Sequence, residues 1–87
     1  MSTHLELTVR YFASIREALG IGSEALHTSA RTLGELRAEL VGRGGAYAQA
    51  LASHRPVRMA LNQTVCDENT PLSAGAEVAF FPPVTGG

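Results

Sequence analysis

The stretch Glu77-Val78-Ala79-Phe80-Phe81-Pro82-Pro83 decides the fold. Successive side chains of a strand alternate sides, so Val78 and Phe80 share one face and Ala79 and Phe81 share the other. Both faces are apolar. Such a strand is predicted in the middle of a sheet, its second face covered by a helix, another layer or a partner protein. Pro82 and Pro83 then remove two consecutive amide donors and restrict φ, so the ladder stops there and the chain leaves extended into Val84-Thr85-Gly86-Gly87.

Working outward from that strand, the start of the chain alternates Leu5, Leu7, Val9 and Tyr11 with His4, Glu6, Thr8 and Arg10. This period of two predicts a strand with one buried face. Ser14-Ile15-Arg16-Glu17 has the spacing of a capping box, with Gly20 placed to end a short helix. Ser23 to Thr28 reads as a second strand. Thr32-Leu33-Gly34-Glu35 repeats the capping-box spacing, and Leu33, Leu36 and Leu40 fall on one helical face, which marks the main helix. Gly42, Gly44 and Gly45 stop it, and residues 46–53, with Tyr47 and Leu51 four apart, suit another turn or two before Pro56. Val57 to Leu61, Asn62-Gln63 and Thr64 to Cys66 read as strand, tight turn and strand, the asparagine tolerating a left-handed conformation. Pro71, Leu72 and Gly75 mark a loop before the last strand. The order describes an α+β roll in which a mixed sheet wraps one helix, without repeat or linker.

The 87 residues, 45% hydrophobic and 17% charged, suit one small domain with no room for a second. A chain this size buries roughly 60 to 65% of its unfolded surface, enough for a modest core but not for a deep enclosed active site. Seven basic against eight acidic residues leave a formal charge of −1 and no excess field for nucleic acid or an anionic membrane. All seven basic residues are arginine, so no lysine is present for Schiff-base or amine-nucleophile chemistry. No apolar run is long enough to span a bilayer, and the alternating start is unlike a signal peptide. The cytoplasm is the expected compartment.

Few internal residues suggest chemistry. His4, His27 and His54 are scattered and Cys66 has no second thiolate near it, so no metal site is expected. Cys66 beside Val65 suits a small buried hydrophobe. Gly42 to Gly45 follows a helix instead of linking a strand to a helix, which fits a helix stop better than a phosphate loop. Asp67-Glu68 reads as a solvated turn. Arg55 and Arg58 flank Pro56 and are open either to an anion or partner contact or simply to water.

The tail carries the functional reading. Gly86-Gly87 lacks Cβ atoms, so its backbone can pass a channel too narrow for other residues and its carboxylate is sterically open. Extended backbone covers about 3.3 Å per residue, so Pro83 to Gly87 could reach on the order of 15 Å into a neighbouring protein. A frayed terminus is the bland alternative. A pure interaction module, its Pro-Pro segment held in an aromatic groove, is another.

Leu61-Asn62-Gln63-Thr64, Pro71-Leu72, Gly75 and above all Glu77 through Gly87 closely resemble the small-subunit family of molybdopterin synthase. Arg10-Tyr11-Phe12-Ala13 and Ile15-Arg16-Glu17 resemble that family's start, and residues 42–58 are the least diagnostic. The resemblance implies the ubiquitin-like β-grasp fold, residues 1–81 as the domain and 82–87 as a flexible Gly-Gly tail. It implies a sulfur carrier that binds no cofactor and is not an enzyme on its own. A ubiquitin-activating-like adenylyltransferase would use ATP to adenylate Gly87, and a sulfur donor protein would convert it to a thiocarboxylate. That carrier would then serve the synthase large subunit, in a heterotetramer, as cosubstrate for sulfur transfer to cyclic pyranopterin monophosphate, two carriers per dithiolene. Val84, Thr85 and Gly86 would line the insertion path. Phe80, Phe81, Pro82 and Pro83 would bind the partner, with whichever phenylalanine faces away from the helix making the contact. A thiamine-pathway-type carrier shares the fold and the Gly-Gly end; the Phe-Phe-Pro-Pro-Val run favours the molybdopterin branch.

Overall fold

The structure is a computed structural model and describes residues 4–83. In chain order it contains β1 (Leu5–Tyr11), α1 (Ala13–Leu19), β2 (Ser23–Thr28), α2 (Leu33–Val41), α3 (Gly45–Leu51), β3 (Arg58–Leu61), β4 (Thr64–Cys66) and β5 (Glu77–Phe81). The strands form one sheet in the order β2-β1-β5-β3-β4. β5 runs parallel to β1 and antiparallel to β3, while β1–β2 and β3–β4 pair antiparallel. The last strand therefore lies in the centre of a mixed sheet, as its two apolar faces predict.

The helices cover one face of the sheet. β1 turns Leu7, Val9 and Tyr11 inward, β5 adds Val78 and Phe80, and α2 meets them with Leu33, Leu36 and Leu40. The Tyr11 ring stacks on Phe80 at 6.2 Å between centroids. Thr28, buried at the end of β2, donates its hydroxyl to Glu39 of α2 at 2.8 Å and accepts from the Ala30 amide at 2.9 Å. Among the described residues no buried side-chain polar atom lacks a partner. This is the ubiquitin-like β-grasp, an α+β fold.

Two helix starts differ in detail from the sequence reading. α1 begins at Ala13 with Phe12 as its N-cap and no side-chain cap bond, so Ser14 sits inside the first turn instead of capping it. The Phe12 amide is still bonded to the Phe80 carbonyl, and the Phe12 carbonyl already accepts from Ile15 and Arg16. Sheet pairing thus fixes where the helix starts, and Ala13 makes the corner at φ 52°. At α2 the Thr32 hydroxyl oxygen accepts from the Glu35 amide as predicted, but Glu35 reaches back to the Arg31 amide, one residue before the cap.

The long loop before β5 is laced to the start of α2. Leu33 and Gly34 amides donate to the Thr70 and Glu68 carbonyls, and the Leu72 amide donates to Arg31. A Cβ at position 34 would lie 3.0 Å from the Glu68 Cβ and 3.2 Å from its carbonyl oxygen, so a side chain there would push the Glu68 segment back by a few tenths of an ångström. In the β3–β4 turn both Asn62 and Gln63 have positive φ, 49° and 73°, the pattern of a two-residue hairpin turn matched to strand twist. Asn62 also holds the first residue of β5, its side-chain oxygen accepting from the Glu77 amide at 2.9 Å.

Candidate functional site

The helices leave the other face of the sheet bare. Residues paired across a ladder point to the same side, and the register aligns Arg10, Ala79, Ala60 and Val65 in one row from β1 to β4. Phe81 follows on β5 and Phe12 leaves the end of β1 beside it. Together with Pro82 and Pro83 they line an open groove of about 630 Å³ at the point where the chain departs from the sheet. Val65 is 55% exposed and Phe12 38% exposed, which is unusual for side chains of this size outside an interface. Arg10 and Glu77 form the polar edge, 3.7 Å apart, and the Arg10 guanidinium lies 5.3 Å over the Phe12 ring.

The structure separates the two phenylalanines. Phe80 is fully buried against Tyr11 and cannot meet a partner in this fold, which corrects its place among the predicted contact residues. The parity of β5 then puts Phe81 on the outer face, half-buried, with Pro82 and Pro83 forming the wall beyond it. Val84, Thr85, Gly86 and Gly87 lie outside the described residues. Arg10, Phe12, Ala60 and Val65 were missed as site residues by sequence reasoning. The available signal was weak: Phe12 directly follows the core-facing Tyr11, and Val65 directly precedes Cys66, which packs against the core.

Behind the groove two polar clusters hold the scaffold, one partly and one largely buried. Glu24 accepts from the Tyr11 hydroxyl at 2.7 Å, the Tyr47 hydroxyl at 2.8 Å and Arg43 Nη1 at 2.9 Å. Burial acts to raise the Glu24 carboxyl, but the hydrogen bonds from Tyr11, Arg43 and Tyr47 and the Arg43 charge outweigh it and hold it below the usual carboxylate range. Burial first, then the bond to Glu24, push the Tyr11 hydroxyl far above its ordinary value. The second cluster centres on Arg37 of α2, which is 6% exposed. Its Nε donates to the Leu51 carbonyl at 2.7 Å, and Nη2 donates to Ala52 at 2.6 Å and Arg55 at 3.0 Å. It closes the C-terminus of α3 and sets the approach to β3. Glu68, expected in a solvated turn, keeps its side chain mostly in water yet stands 3.4 Å from Arg37.

Other singled-out residues do not converge. His27 lies 3.8 Å from Glu6 on the sheet surface, and no group of three His, Cys, Asp or Glu side chains among the described residues could hold a metal ion. Cys66 is a free, half-buried thiol packed against the core from the edge strand. Arg55 turns back to the Gln49 carbonyl at 3.0 Å, away from Arg58. Among the described residues no helix is long and apolar enough to cross a membrane.

Comparison with known proteins agrees with this geometry. The ThiS family matches residues 9–87. The chain is 37% identical over 81 residues to the molybdopterin synthase sulfur carrier subunit of Escherichia coli K12, covering 93% of this chain and 99% of that one. Among solved structures it is similar to SAMP1 from Haloferax volcanii, with TM-score 0.73, 26% identity, and coverage of 94% and 99%. It also resembles a chain in the complex of subunits 1 and 2 of molybdopterin-converting factor from Helicobacter pylori 26695, with TM-score 0.63, 32% identity, and coverage of 95% and 100%. By sequence across nearly its whole length and by fold, the chain belongs to the ThiS family.

Proposed function

We propose that this chain is the sulfur carrier subunit of a molybdopterin synthase, acting in the cytoplasm as a thiocarboxylated cosubstrate and not as an enzyme on its own. The observation that carries the reading is the uncovered apolar groove around Phe81, Val65 and Phe12, placed where β5 runs through Pro82-Pro83 towards Gly86-Gly87. A docking face and a reactive chain end at one edge of a small domain suit delivery of that end into another protein. The relatives named as sulfur carrier subunits and the Helicobacter pylori two-subunit complex support the same partner, the synthase large subunit.

The chemistry explains the sequence of steps. The Gly87 carboxylate is ionised at neutral pH and is a poor electrophile. Attack of one carboxylate oxygen on the α-phosphorus of ATP, in a partner adenylyltransferase, releases pyrophosphate and forms an acyl adenylate. Sulfide-level sulfur, freed from a donor protein's persulfide by a reducing thiol that ends as a disulfide, then adds to the carbonyl carbon as the C–O bond to AMP breaks, leaving a thiocarboxylate and AMP. Its soft, ionised sulfur is a good nucleophile towards cyclic pyranopterin monophosphate. The large subunit supplies the acid-base and cationic groups, two carriers serving each dithiolene. Phe81, Pro82 and Pro83 dock the domain, Val84 and Thr85 follow the channel, and Gly86 admits the terminus.

Intact mass spectrometry of the chain from cells making the cofactor is expected to show a fraction with one oxygen exchanged for sulfur. Deleting Gly87, or adding one residue after it, is expected to abolish synthase activity with the fold intact. An active extended variant would refute the terminal mechanism. The family match also admits a thiamine-pathway carrier, and complementation of strains lacking each carrier separates the two. Amidation of the terminus separates both from a pure interaction module, which would keep its function.

A further inference from the structure

β3 opens with Arg58, whose Cα pairs with that of Phe81 in the antiparallel ladder. Paired residues share a side, and Met59 beside it is buried in the core, so the Arg58 side chain stands on the outer face next to Phe81. It is exposed. Arg58 lines a hollow that adjoins the groove and shares Val65 with it. Asp67 and Glu68 line that hollow as well, but Glu68 faces Arg37, and among the described residues the Arg58 side chain makes no ion pair or hydrogen bond. Arg10, across the groove, already has Glu77 at 3.7 Å. Among the described residues the docking face thus carries a guanidinium without an ion-pair or hydrogen-bond partner, one residue-row from the apolar floor.

We propose that Arg58 is a specificity-determining contact of this face and takes an aspartate or glutamate carboxylate of the synthase large subunit. The inference rests on the docking role proposed above. A surface that covers Phe81 and Val65 strips water from the adjacent guanidinium, and an ion left unpaired in a dried interface opposes binding. A carboxylate matches the planar fork of arginine with two parallel hydrogen bonds, which a hydroxyl or a single carbonyl does not. The same pair rejects a partner that presents a cation or an apolar group at that point. Asp67, which lines the same hollow, is engaged in its own turn, its Oδ1 accepting from the Asn69 amide at 2.9 Å, and among the described residues it makes no ion pair with Arg58.

The test is binding of the full chain to the isolated large subunit, by calorimetry and surface plasmon resonance at low and at high salt. The Arg58 side chain is exposed and makes no ion pair or hydrogen bond among the described residues, so its variants are expected to melt like the parent. Arg58→Ala is expected to weaken binding about tenfold and Arg58→Glu about a hundredfold or more, with a loss of salt dependence in the association rate. Arg58→Lys should fall between the parent and the alanine variant. Reversing the opposing carboxylate to arginine should restore binding of Arg58→Glu. Binding of Arg58→Glu within twofold of the parent while Phe81→Ala fails would overturn this inference and leave the docking role standing. Weak binding of Arg58→Glu that no carboxylate reversal on the partner restores would also overturn it. Normal binding by Phe81→Ala as well would remove both.

Discussion

Replacing Arg37 by methionine keeps a long apolar stem in α2 and removes only the guanidinium. Three carbonyls lose their donor, those of Leu51, Ala52 and Arg55, at 2.7, 2.6 and 3.0 Å. A hydrogen bond to a charged group contributes about 1.5–3 kcal/mol, but the three do not simply add. Arg55 is exposed and Ala52 half-buried, so their carbonyls regain water, and removing a buried cation also relieves its own desolvation. The Leu51 carbonyl, at a residue with 0% exposure, is the one left dry. The expected net loss is about 2–4 kcal/mol. In a domain of this size each kcal/mol lowers Tm by about 4–8 °C, so the variant should melt on the order of 10–25 °C below the parent. Thermal and urea unfolding followed by circular dichroism measure this, and hydrogen exchange should show residues 52–57 opening first. Arg37→Lys keeps the charge without the fork and should recover only part of the loss. Glu68→Gln should cost under about 1 kcal/mol, because that carboxylate is 57% exposed. A loss below about 1 kcal/mol for Arg37→Met, or full stability of Arg37→Lys, would refute the view that the fork organises this connection.

Glu24→Gln should cost about 1–3 kcal/mol at neutral pH, since its carboxylate accepts three bonds from Tyr11, Tyr47 and Arg43. The Glu24 carboxyl is held below its ordinary value of 4.5, so its contribution is present above that value and lost as pH falls through the lower folded one. The glutamine variant should therefore show a flatter acid limb in urea titrations. Tyr11 is shifted the other way: its raised hydroxyl favours the fold below the unfolded value of 10.0, and stability should fall as pH rises beyond it. Tyr11→Phe should remove part of that alkaline loss, with the raised Tyr47 hydroxyl keeping the rest. Phe80→Ala should destabilise by about 3–5 kcal/mol, because Phe80 is wholly buried. Phe81→Ala should cost much less in stability and lose affinity for the large subunit instead, a difference that paired melts and binding curves would show.

Much of the scaffold was legible because it depends on near neighbours in the chain. The alternation of Leu5 to Tyr11, the three- and four-residue spacing of Leu33, Leu36 and Leu40, and the glycine ending α1 all state which side of an element is dry. The two apolar faces of residues 77–81 pointed to a central strand, and β5 lies between β1 and β3, with its inner face under the helices and its outer face forming the groove. The start of α1 was not legible, because the bond from the Phe12 amide to Phe80 is made by residues far apart in sequence. Arg37 reads as a solvated helix residue until α3 folds back over it. Glu24, Tyr11, Arg43 and Tyr47 come from four separate segments, and no spacing announces that they meet.

The docking face shows the same division. The sequence by itself determined that residues 77–81 form a strand apolar on both faces, that Pro82-Pro83 stop its ladder and that Gly86-Gly87 leave the backbone unscreened, because alternation, missing amide donors and missing Cβ atoms are properties of residues and their immediate neighbours. Which phenylalanine faces outward, and that Arg10, Ala60, Val65 and Arg58 stand beside it, only the tertiary structure decided. Those neighbours are set by the register of strands joined through distant connections, and by the choice of which sheet face the leucines of α2 cover. Both follow from packing the whole core at once.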